Sequence, residues 1–192
     1  MKSPFASPHM EREIPSNFEQ LHDAEALQGH VEFLARPIEQ WAAGILAETG
    51  RPVLALCILR GAVHFFSDLV KACRVSIEPA FCRTWSYSSE ENAQLGTIRT
   101  DFLGSDFTGR DVLLVDDICD TGHTLRHLVE SLTGEHGARS VKSTTLIYRE
   151  RPDSVFRPDW HALAYSGGEW LVGYGMEDRN RYMNYPALYR LV

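Results

Sequence analysis

Between positions 112 and 125 the chain reads Val-Leu-Leu-Val-Asp-Asp-Ile-Cys-Asp-Thr-Gly-His-Thr-Leu. Four apolar residues precede three acids within five positions, Asp116, Asp117 and Asp120, and a Thr-Gly-His-Thr turn follows. Such an apolar run suits a buried strand, and a helix starting just after it presents free N–H groups and a favourable dipole. Thr121, Gly122, His123 and Thr124 thus offer backbone donors and two hydroxyls to an anion such as a phosphate. The carboxylates behind them are placed to accept sugar hydroxyls of the same ligand. A plainer arrangement uses the same residues: Asp120 as a helix cap, and Asp116 and Asp117 as solvated strand-end acids. The order of apolar strand, paired acids and phosphate turn favours ligand binding.

Elements on either side must position this turn. Leu34, Ile38, Trp41, Ala42 and Ile45 recur at helical spacing within 31–49, with Pro37 as a kink or a new first turn and Gly50 as the stop. Pro52 to Leu59 is a continuous apolar run of strand length, joined by Arg60-Gly61-Ala62 to a helical stretch through Phe65, Phe66, Leu69 and Val70. A further strand is expected over 77–87, then a polar stretch over 88–105, long enough for a lid. Leu125, Leu128, Val129 and Leu132 form one helical face closed by Gly134 and Gly137, and a strand follows over 141–148. Strand and helix alternate, which predicts an α/β fold with a parallel sheet flanked by helices. Residues 161–165 and 170–174 are short apolar pieces around Ser166-Gly167-Gly168, suited to a small hairpin-like cap over one end of the sheet.

The bulk composition narrows the class. A length of 192 residues suits one domain, and 44% hydrophobic with 23% charged residues is ordinary for a soluble globular chain. We expect a loose tail over 1–16 and one domain over 17–192, with the lid at about 88–105 and a hood at about 153–192. No apolar run approaches the roughly 20 residues of a membrane span. A net charge of −7 disfavours nucleic acid as a partner. Cys57, Cys73, Cys82 and Cys119 show no C-x-x-C spacing and lie in or beside apolar segments, as expected of reduced thiols in a cytoplasmic protein.

The stretch Val115 to Thr124 resembles the phosphoribosyl-pyrophosphate signature of type I phosphoribosyltransferases, and the chain from about Val31 to Leu191 resembles their hypoxanthine-guanine branch. The likeness includes Leu59-Arg60-Gly61-Ala62, then Phe65-Phe66-Ser67-Asp68-Leu69, the Ser86-Tyr87 pair and Trp170-Leu-Val-Gly-Tyr-Gly175. It implies a type I phosphoribosyltransferase fold with a small C-terminal hood. The implied activity is transfer of a 5-phosphoribosyl group from 5-phosphoribosyl-1-pyrophosphate to hypoxanthine or guanine, with magnesium as cofactor and a homo-dimer or homo-tetramer as the assembly.

The resemblance also assigns residues. Asp116 and Asp117 would hold the ribose hydroxyls, directly or through a metal ion, and residues 121–124 the 5-phosphate. Asp120 would be the general base near purine N7. Arg60 and Gly61 would belong to a pyrophosphate loop with a cis Leu59–Arg60 peptide, and Ser86 and Tyr87 would open the lid. Trp170 would stack on the base opposite Ile118, with Leu171 beside it, and Glu177 would stand in for a metal-binding Asp. Two positions depart from the family: Tyr148 aligns with the Lys that reads the 6-oxo group, and Met183 with an Arg that contacts pyrophosphate. Arg149 follows Tyr148 and could substitute only if the strand shifts its facing, because successive side chains point to opposite sides. Arg179 and Arg181 are the nearby cations that could compensate for Met183. The departures leave two rivals open, transfer to another nucleobase-like acceptor and a non-catalytic sensor of phosphoribosyl pyrophosphate.

Overall fold

The computed structural model describes residues 13–87 and 97–192. Strand β1 (Phe18–His22) leads into helix α1 (Ala24–Thr49). Asp23 caps α1 by accepting the Ala26 N–H at 2.8 Å, and Gly50 ends it in the left-handed region at φ 69°. The helix starts seven residues before the expected position, because Leu27 extends the buried stripe of Val31, Leu34 and Ile38 by one turn. Pro37 lies inside it, withholding only the N–H that Phe33 would accept.

Next come β2 (Val53–Leu59), α2 (Val63–Ala72), β3 (Ile77–Tyr87), β4 (Thr97–Asp101), β5 (Asp111–Cys119), α3 (His123–Gly134), β6 (Ser140–Arg149) and β7 (Trp160–Tyr165). They build a six-stranded sheet of order β4-β3-β2-β5-β6-β7, parallel except for the β3–β4 pair. The expected α/β class is what the structure shows. Alternate residues of β2 and β5 face opposite layers, which is why both strands read as unbroken apolar runs. Ala55, Cys57, Leu113 and Val115 pack toward α1 and α2, while Leu54, Leu56, Val112 and Leu114 pack with Leu125, Leu128 and Leu132 of α3. Each of those α3 leucines is essentially fully buried, worth about 1.5–3 kcal/mol in transfer free energy.

Two expectations are corrected. Residues 161–165 are not part of a hairpin-like cap: β7 pairs in parallel with β6 as the edge of the main sheet, and Trp160 packs on Trp41 of α1. The cap is instead a three-stranded antiparallel sheet in which β9 (Leu188–Leu191) lies between β1 and β8 (Leu171–Val172), so the first strand among the described residues completes it. The second part of the expected lid is strand too. Thr97 to Asp101 pair with β3, and the β-branched Ile98 and Thr100 suit an edge position. Residues 88–96 of that lid lie outside the described residues, as does tail segment 1–12, and its last residues, 102–105, form a turn. All four cysteines are free and buried, and burial pushes the Cys57 and Cys119 thiols up to about 12. Among the described residues no helix is long and apolar enough to cross a membrane.

Candidate active site

The chain runs from β2 through α2 outward to β3, then returns to place β5 on the other side of β2. The carboxyl ends of β2 and β5 therefore part at a switch point, where open α/β sheets form their ligand crevice. Pairing of β5 with β2 stops at Val115, whereas pairing with β6 continues to Cys119. Asp116 and Asp117 thus project beyond β2 while still anchored to β6.

The two acids are held by their own backbone: the Asp117 N–H donates to Asp116 Oδ1 at 3.0 Å, and the Ile118 N–H to Asp117 Oδ1 at 2.9 Å. Burial, and then the charge of Asp117, push the Asp116 carboxyl well above the usual carboxylate range, and burial also raises Asp117. Two carboxyls buried side by side at one strand end repel each other, so the arrangement serves something other than stability. Among the described residues no three His, Cys, Asp or Glu side chains converge as a ready-made metal cluster. The Glu177 carboxylate, expected to join the acids, shares a cavity with Asp117 and adds its charge to the rise of that carboxyl. It also pairs with Arg60 Nη2 at 3.0 Å, a nitrogen that donates to Asn180 Oδ1 at 2.6 Å.

The loop after β2 carries a cis Leu59–Arg60 peptide, as the resemblance implies. Gly61 packs so closely on the Asp117 carboxylate that an added Cβ would overlap it, and the Gly61 carbonyl in turn fills the place of a side chain at Gly175. Gly175 has φ 104°, a conformation open mainly to glycine. Tyr174 fastens the same segment to α2 by donating its hydroxyl to Asp68 at 2.6 Å. Burial would raise Asp68, but hydrogen bonds from Lys71 and Tyr174 outweigh it and hold the carboxyl below its usual range. Gly61→Ala is expected to displace Asp117 and lower kcat/KM by about 100-fold with little change in far-UV circular dichroism, since a displacement of about 1 Å can cost that much.

The 121–124 turn opens α3 as expected. Gly122 adopts φ 83° with Phe156 where a side chain would be, and the Val155 N–H pins the Thr121 carbonyl at 2.8 Å. Helix α3 has no side-chain cap, so the plain capping arrangement for Asp120 does not apply. Asp120 instead contacts Arg149 and Arg151, with its Oδ1 3.3 Å from Arg149 Nε and 3.2 Å from Arg151 Nη1.

Beside these groups lies a cavity of about 380 Å³. Ile118, Trp170 and Leu171 line it together with Asp117, Asp120 and Glu177, which brings most of the expected base-site residues into one place. Trp170 is 61% exposed and held edge-on by donation from its Nε1 to the Glu177 carbonyl at 2.8 Å, a platform with an open face. Tyr148 does not line this cavity. Ile118 pairs with Ile147 across the ladder, so residues 147 and 149 share the cavity face and residue 148 points the other way. Tyr148 packs toward α3, near His161 and under Arg157. Arg149 takes its place: 7% exposed, it lines the cavity and donates to the carbonyls of Gly167 and Glu169. Strand parity says only that residues 148 and 149 face opposite ways, and the β5–β6 register decides which of them meets the cavity.

The remaining expected positions are scattered. Ser86 and Tyr87 end β3, and their side chains lie outside the described residues. Arg181 stacks on Tyr182 in the hood at 5.0 Å, and Met183 accepts the Gly175 N–H through its backbone.

Comparison with known proteins agrees with this geometry. A family model described as phosphoribosyl transferase domain matches residues 19–178. The hypoxanthine-guanine phosphoribosyltransferase of Mycobacterium avium is 35% identical over 164 residues, covering 83% of this chain and 78% of that protein. The hypoxanthine-guanine-xanthine phosphoribosyltransferase of Tritrichomonas foetus is 30% identical over 172 residues, covering 88% of each. A solved hypoxanthine phosphoribosyltransferase from Staphylococcus aureus superposes with a TM-score of 0.78 at 27% identity, covering 91% of each chain. Fold, switch-point site and relatives agree: the chain belongs to the type I phosphoribosyltransferases, in the hypoxanthine-guanine phosphoribosyltransferase family.

Proposed function

We propose that the protein transfers a 5-phosphoribosyl group from 5-phosphoribosyl-1-pyrophosphate to a 6-oxopurine, releasing pyrophosphate and the nucleoside monophosphate for purine salvage. The observation that carries this reading is the pairing of Asp120 with Arg149 on one wall of a cavity that adjoins the carboxylate pair. A 6-oxopurine presents a ring N–H and a carbonyl oxygen on neighbouring edges. Asp120 would take the N7 proton and Arg149 would donate to the oxo group, the part otherwise expected of Tyr148.

The other residues suit the sugar and phosphates. Asp116 and Asp117 would accept the ribose hydroxyls and answer the positive charge that develops at the sugar ring, and the 121–124 turn would take the 5-phosphate. Trp170 and Ile118 would sandwich the base, with Leu171 at its edge. A divalent cation, magnesium by the hard oxygen donors on offer, would be held by Asp116 or Asp117, by Glu177 once released from Arg60, and by the substrate's own oxygens. It would neutralise the leaving diphosphate. Arg60, freed in that exchange, would become available to the pyrophosphate. The reduced, buried cysteines suit a cytoplasmic setting for this chemistry.

The test is pyrophosphate release with hypoxanthine, guanine, xanthine, adenine and uracil offered separately. Release with an oxopurine and not with adenine supports the reading. Release only with another heterocycle moves the acceptor, and release with none alongside intact substrate binding makes the protein a sensor. Arg149→Gln is expected to raise KM for the oxopurine by about 10- to 100-fold and narrow the gap to adenine, since a site built to donate to an oxo group penalises an amino group.

A further inference from the structure

Asp120 receives no orientation from the helix it precedes, because α3 carries no side-chain cap. Two arginines hold it instead, and both hold the same oxygen. Arg149 Nε stands 3.3 Å from Oδ1, a charge contact without hydrogen-bond geometry, whereas Arg151 Nη1 donates to Oδ1 at 3.2 Å. Among the described residues nothing pairs with Oδ2.

Arg151 is itself braced. Its Nε and Nη2 donate to the two oxygens of Asp153, both at 2.8 Å, a fork-on-fork pair that removes most of the freedom of a surface arginine. Arg151 also lines the cavity beside Asp120. Exposed ion pairs contribute only about 0–1 kcal/mol to stability, so a structural role for this half-exposed cluster would be weak. What the cluster does supply is direction: one oxygen engaged from the rim, the other left open.

We propose that Arg151, braced by Asp153, is a positioning residue that anchors Asp120 through Oδ1 and leaves Oδ2 as the proton acceptor. This rests on the reaction proposed above. In that reaction the bond from ribose C1 to the incoming ring nitrogen forms as the C1–O bond to pyrophosphate breaks. The N–H bond of the heterocycle breaks as well, its electron pair stays in the ring, and its proton passes to Oδ2. A carboxylate free to rotate would meet that proton in the right geometry only part of the time, and the loss falls on turnover and not on substrate binding.

The experiment compares kcat, KM and single-turnover rates for the wild type, Arg151→Ala, Arg151→Lys, Asp153→Asn and the Arg151→Ala/Asp153→Asn double variant, with thermal midpoints alongside. Arg151→Ala is expected to lower kcat and the single-turnover rate by about 10- to 30-fold with KM values within about threefold. Arg151→Lys should recover part of the loss. Asp153→Asn should lower kcat by a smaller factor on its own and add nothing in the Arg151→Ala background, because both act through one contact. Should Arg151→Ala fail to fold, Asp153→Asn carries the test, because Asp153 touches Arg151 and not Asp120. A kcat within about twofold of wild type in every variant, or a loss confined to KM, overturns the inference while leaving the reaction standing. A wild type that releases pyrophosphate with no heterocycle overturns both.

Discussion

Asp120→Asn is expected to lower kcat by about 10²- to 10⁴-fold, the range for loss of a general base, while binding of phosphoribosyl pyrophosphate changes by only a few fold. Asparagine keeps the shape and cannot take a proton. The substitution also removes the negative charge from beside Arg149, a buried guanidinium whose Nε has no hydrogen-bond acceptor among the described residues. A small drop in thermal midpoint should therefore accompany the loss of turnover, because a buried charge is left without its partner. Isothermal titration with the substrate, run beside the pyrophosphate-release assay, separates the two effects. Equal turnover in mutant and wild type would remove Asp120 from the chemistry. Binding without turnover in both would favour the sensor.

Asp116→Asn should do the opposite to stability. Asp116 and Asp117 share a strand end where burial and mutual repulsion raise their carboxyls. A carboxyl raised in the folded state retains its proton after the unfolded chain has released it. Its stabilising contribution is complete below the ordinary carboxylate range, near pH 4, and is lost as pH rises toward the raised folded values. Across that window the free protein should lose stability as pH rises. Asp116→Asn should flatten the decline and raise the thermal midpoint, by about 2–4 °C for each kcal/mol of repulsion relieved. The same variant is expected to weaken binding of magnesium phosphoribosyl pyrophosphate by at least about tenfold. Binding to the wild type should release protons, visible as a buffer-dependent enthalpy. Thermal scans from pH 4 to 8 that show the same slope in mutant and wild type would refute this account.

These two results bear on why the site is costly to the fold. The carboxylate pair and the buried Arg149, whose Nε has no hydrogen-bond acceptor among the described residues, are each unfavourable for the fold. They become favourable once a sugar, a cation and an acceptor base supply the missing partners.

The sequence alone determined the α/β class, the apolar strands β2 and β5, the leucine face of α3 and the acid-turn that makes the site recognisable. All of these are local. Apolar periodicity and turn chemistry are written over spans of four to ten residues, where residue type and backbone preference act directly. What the tertiary structure decided is a matter of register and distant pairing. Only the ladder between β5 and β6 turns Arg149 inward and Tyr148 away. Only the meeting of chain ends places β1 beside β9, with Glu19 paired to Arg190 across 171 positions. Glu177 finds Arg60 across 117 positions, and β7 chooses the sheet over the hood. A one-residue change of facing reverses which side chain meets a ligand, and sequence spacing does not distinguish the two faces of a strand that is covered on both sides.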